Sequence, residues 1–202
     1  MFTTAAEALA ELKKQSDPSR ASHSARFFKT GPGEYGEGDK FLGLTVPQVR
    51  VVAKQCVELP VGEVRRLADS EWHEVRLCAL HSMDYRARSK KTTDAQRREL
   101  FDLYVELMAA GRVNNWDLVD TSAPKVIGGP LLRADRTILF EWVKSPNLWY
   151  RRVALLATFE FIAHGDASTS LQLAAEVLTD REDLIHKAAG WMLRELGKRV
   201  GV

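Results

Sequence analysis

The chain has 202 residues, of which 45% are hydrophobic, 28% charged and 8% aromatic. This composition excludes a disordered, collagen-like or disulfide-stapled protein, and the length suits one domain, expected over 1–202, that buries roughly 70% of its unfolded surface. Its 29 basic and 27 acidic residues leave a formal charge of +2, which excludes a uniformly basic coat but not a local basic stripe.

At the N-terminus, Glu7 and Glu11 interrupt the only apolar stretch, so no signal peptide is expected. No apolar run approaches the ~20 residues of a bilayer span, and a cytoplasmic protein is expected. The apolar spacing is helical throughout. It predicts helices near 4–15, 18–29, 46–58, 61–69, 71–88, 94–110, 115–127, 135–144, 146–164, 168–178 and 181–199. Thr45–Gln48 and Thr179–Glu182 read as capping boxes. Pro18 and Pro146 read as first helical residues, and Gly111, Gly165 and Gly201 as stops. Cys56 and Cys78 each lie in an apolar helical run without a CxxC or Cys/His cluster, the pattern of buried, reduced, structural thiols. The stretch from Lys29 to Lys40 holds four glycines and a proline, and reads as a surface loop or lid. No Gly-Lys-Ser/Thr ends it, and Glu34, Glu37 and Asp39 would repel an anion, so it is not a phosphate loop.

Three segments are weakly alike: Trp72–Leu80, Leu148–Leu156 and Asp183–Trp191. In each, a basic residue (Arg76, Arg152, Lys187) precedes a small, apolar stretch. The spacing is that of HEAT or armadillo-like repeats. An all-α solenoid of stacked antiparallel helix pairs with a concave surface follows; the alternative is a nonrepetitive helical bundle.

The five histidines are scattered, and neither HExxH nor an EF-hand acid ladder is present, so no metal site is expected. Without GxSxG, and with no His suitably placed for either cysteine, no nucleophile signature exists. What stands out is the run from Asn114 to Ser122. Its two asparagines cap a helix, and Trp116 and Asp120 fall one turn apart on one face. Further clusters of tryptophan and charge are Trp149–Arg152 and Trp191–Arg194. The plainer reading of each is a core indole beside a solvated edge.

Taken with Ala25–Thr30, Phe41–Pro47 and Lys187–Arg194, these runs make the chain resemble the DNA alkylation repair family, the AlkD-like HEAT-repeat DNA glycosylases, from about Arg26 onward. The resemblance implies hydrolysis of the N-glycosidic bond of N3- and N7-alkylated purines in duplex DNA, without metal or organic cofactor, by a monomer with a concave DNA-binding surface. It assigns the lesion-facing indoles to Trp116 and Trp191 and the catalytic carboxylate to Asp120. It assigns backbone-gripping arginines to Arg152 and Arg194, and an N-terminal aromatic contact to Phe27, where the family typically has Tyr. Against the family's pattern, one or two final capping helices are expected to be missing after Arg199. Glu160 stands where a basic residue is usual, which would weaken a phosphate track. The alternatives are a noncatalytic HEAT-like DNA-binding or scaffold protein and, behind it, a protein-interaction solenoid.

Overall fold

The computed structural model describes residues 1–200; Gly201, expected to end the last helix, lies outside them. The described residues are helical, with one isolated bridge between Lys40 and Trp72. None of their helices is long and apolar enough to cross a membrane. The chain divides into two compact units, Met1–Leu118 and Val119–Val202.

The first unit contains α1 (Ala5–Lys14), α2 (Pro18–Phe27), α3 (Val46–Gln55), α4 (Val61–Ala68), α5 (His73–Arg88) and α6 (Asp94–Ala109). Helix α7 (Trp116–Ala123) begins in this unit and ends in the second. Helices α3 and α4 both pack on α5, which is buried on nearly every face. A helix covered all round does not need an amphipathic sequence, which is why polar His73, Glu74, Arg76 and Asp84 are buried beside Leu77 and Leu80. Each then needs a partner. Glu74 meets this by accepting the backbone N–H groups of Leu42, Gly43 and Leu44, which fastens the irregular 41–44 segment to α5.

In the second unit α7 continues through a π-helical turn (Pro124–Gly128) into α8 (Gly129–Leu131), followed by α9 (Thr137–Trp142), α10 (Leu148–Ala163), α11 (Ser168–Glu176) and α12 (Asp183–Arg199). Helix α10 is the enclosed one here, packed by α9, α11, α12 and the π-turn. Pro124 has no N–H for the ladder, a cause for the register change at that point.

Most of the predicted boundaries fall within a few residues of the observed ones. Asp17 caps α2 ahead of Pro18, Gln48 accepts the Thr45 N–H at 2.8 Å, and Gly111 and Gly165 follow α6 and α10 with positive φ. Two starts are corrected. Helix α10 begins at Leu148, with Asn147 accepting from Trp149 N–H, so Pro146 precedes the helix. Helix α12 begins at Asp183 and its first N–H groups lack the expected Thr179 box; Asp180 instead accepts the Glu182 N–H at 2.9 Å. Cys56 and Cys78 are buried free thiols.

Candidate functional site

In the second unit, Asp120 lies on α7 ahead of the π-turn, and Arg152 lies on the first turns of α10. Arg152 donates from Nε to Asp120 Oδ1 at 2.9 Å and from Nη2 to Asp120 Oδ2 at 2.8 Å. Its Nη1 donates to the Leu184 carbonyl on α12. The guanidinium is therefore inside the unit, 6% exposed, whereas the carboxylate retains 19%. Two parallel bonds fix the plane of the carboxylate as well as its position. Close packing sets the same geometry. A Cβ on Gly128 would run into the Ala157 carbonyl of α10, so glycine at 128 lets the π-turn lie against that helix.

Glu160, expected to disturb a phosphate track, is buried and paired with Lys125 of the π-turn at 2.6 Å. Trp149 is also buried, at 9% exposure, so this member of the Trp149–Arg152 cluster is core. Arg151 is spent on Asp180 and on the Ser145 and Pro146 carbonyls. On α12, Trp191 is half-buried with its ring 6.1 Å from that of Phe159, and Arg194 stands out with 67% of its side chain exposed.

In the first unit, Trp116 is half-buried at the start of α7 and stacks on Phe28, with centroids 5.6 Å apart and 26° between planes. Phe27 is 59% exposed and meets both Phe28 and Trp116 edge-on. Beneath Phe28 lies His73, at 4.7 Å, and beside both lies Phe41. The imidazole is held between two acids. Its Nε2 is 2.8 Å from Asp117 Oδ2 and its Nδ1 is 3.5 Å from Asp39 Oδ2. Arg76 and Asn114 also donate to Asp39, at 2.7 and 3.0 Å.

Burial disfavours the charged imidazole, but the charge of Asp117 and hydrogen bonds to Asp117 and Asp39 outweigh it and raise its pKa to about 9. Burial likewise opposes ionisation of Asp39, yet the bond from His73, the Arg76 charge and the Asn114 amide hold its carboxyl below the usual value. The glycine-rich segment is thus anchored at its end by Asp39. Farther out, Glu34 and Glu37 accept the Gly31 and Gly33 N–H groups.

The family model for the DNA alkylation repair enzyme matches residues 8–200. The chain belongs to that family. A solved structure described as a predicted DNA alkylation repair enzyme from Enterococcus faecalis is similar to it, with a TM-score of 0.69 and 21% identity. That similarity covers 92% of this chain and 84% of the other. At that identity the likeness speaks for the α-solenoid-like fold alone. No curated protein matches the sequence.

For this DNA alkylation repair family member, sequence reasoning singled out Trp116 and Asp120 but missed the array of Asp39, His73, Arg76, Asn114 and Asp117. Asn114, read as a helix cap, is turned to Asp39 and Arg76; Asn115 accepts the Trp116 N–H, at 2.9 Å. One signal was available. Arg76 and Arg152 align in the weak likeness between Trp72–Leu80 and Leu148–Leu156, and each donates to an aspartate within its own unit.

Proposed function

We propose that this protein is a DNA glycosylase that hydrolyses the N-glycosidic bond of N3- and N7-alkylated purines in duplex DNA, opening base excision repair. The observation that supports this reading most strongly is the part-exposed carboxylate of Asp120, held in one plane by Arg152.

A purine alkylated at N3 or N7 is cationic, so it leaves without a general acid. When the bond from C1′ to the base nitrogen breaks, its electron pair goes to the purine and quenches that charge. Positive charge then builds on the deoxyribose. A carboxylate beside the sugar stabilises it and orients the water whose oxygen bonds to C1′ and whose proton is released. Most glycoside hydrolases need a second carboxyl group because their leaving oxygen must be protonated; here the leaving group arrives charged, and the chemistry asks for no cofactor. The indoles of Trp116 and Trp191 attract the cationic base by about 0.5–2 kcal/mol each. Phe27 makes an aromatic contact, and Arg194 supplies an exposed charge to the DNA backbone. Arg152 was assigned the same work as Arg194, but its guanidinium is engaged with Asp120, and a phosphate would have to share it.

The test is incubation with duplex carrying 7-methylguanine or 3-methyladenine, followed by chromatography of the released base. Free alkylated purine is expected. A noncatalytic DNA-binding or scaffold member would retard the duplex and release none.

A further inference from the structure

The mechanism above makes no use of the buried charged cluster of His73, Asp39, Arg76 and Asp117. His73 is 1% exposed, yet it stands between two carboxylates and under a ladder of rings. It meets Asp117 from α7, Asp39 from the glycine-rich segment, and the mutually stacked rings of Phe28 and Phe41. Its own helix brings Arg76, which is tied to Asp39.

Trp116 is reached from this imidazole by two routes. Asp117, bonded at 2.8 Å, is the next residue along the first turn of α7, so that bond holds the backbone carrying the indole. Phe28 lies on the imidazole at 4.7 Å and on the indole at 5.6 Å, so the same group sets the plane against which the indole rests. We propose that His73 is a positioning residue, which through Asp117 and Phe28 fixes the ring plane of Trp116 as a wall of the alkylpurine site. The role of that wall rests on the glycosylase reading; the hold of His73 on the indole does not.

Two arms separate these parts. With tryptophan labelled by nitrogen-15, the Trp116 indole resonance is assigned by its loss in Trp116→Phe. It is expected to shift or broaden in His73→Gln while those of Trp142, Trp149 and Trp191 in the second unit stay in place. An unmoved Trp116 signal overturns the proposal. Should His73→Gln fail to fold, the unaltered protein is titrated from about pH 7 to about pH 10. The Trp116 signal then moves with a midpoint near 9, where His73 loses its proton; a flat titration overturns the proposal.

In single-turnover excision of 7-methylguanine, His73→Gln slows the reaction on the order of tenfold, the cost of a slightly misplaced wall. The same substitution in a Trp116→Ala background costs nothing further, because both act through one ring. Losses that multiply overturn the proposal. Failure of the unaltered protein to release any base overturns the glycosylase reading, and the resonance arm then judges His73 alone.

Discussion

Arg152 and Asp120 meet side by side, Nε on Oδ1 and Nη2 on Oδ2, across the packing of α10 on the segment that begins with α7. On α5, Arg76 donates to Asp39 through Nη2, at 2.7 Å, and through Nη1 to the Ser70 carbonyl. A recurring arginine in an enclosed helix thus holds a carboxylate in each unit. Of these two acids, Asp120 retains the greater exposure, 19% against 6%.

Asp120→Asn removes the negative charge and sets an amide against the guanidinium. Excision of 7-methylguanine is expected to fall on the order of 100-fold to 1,000-fold, the usual loss of one electrostatic stabiliser. Affinity for the duplex should change little. Single-turnover rates and gel retardation on one substrate separate the two, and near-normal excision would remove Asp120 from the mechanism.

Arg152→Lys keeps the charge but cannot span both oxygens. Excision should drop by at least roughly tenfold, while the salt dependence of duplex binding stays the same. Arg194→Ala should do the reverse, flattening that dependence by about one phosphate contact and sparing the rate at saturation. Binding titrations across a series of salt concentrations distinguish the two arginines.

Gly128→Ala puts a methyl group into the Ala157 carbonyl, and the π-turn and α10 must move apart. A cost of about 1–3 kcal/mol is expected. For a chain of this size that lowers the melting temperature by about 2–4 °C per kcal/mol. Calorimetry measures it, and unchanged melting would show that the close approach is not required.

Stability should peak in mildly acidic to neutral solution. The folded-state pKa of His73 is raised from 6.5 to about 9, so its contribution is complete below 6.5 and lost as pH climbs through 9. The difference is worth roughly 3 kcal/mol at most. Two turns along α5, His81 behaves oppositely. Burial first, and the charge of Arg50 second, lower its pKa from 6.5 to about 4. Folding is therefore increasingly penalised as pH falls from 6.5 towards 4. Urea midpoints across this range should decline on both sides, and His73→Gln should abolish the alkaline decline only.

The amino-acid sequence by itself determined the helices, because apolar period, caps and stop glycines are local signals; it also singled out Trp116 and Asp120, one turn apart on α7. Pro146 and Thr179 misled because both sit a few residues ahead of starts that Asn147 and Asp180 satisfy instead. The tertiary structure alone decided which charges are spent internally. Arg151 and Arg152 are neighbours of one type in one motif, and nothing local shows that the first holds Asp180 and the second Asp120. Nor could spacing bring Asp39, His73 and Asp117 together, since 34 and 44 residues separate His73 from its two acids. Such contacts form only when enclosed helices bury polar groups that must then find partners, a demand set by packing rather than by any pattern along the chain.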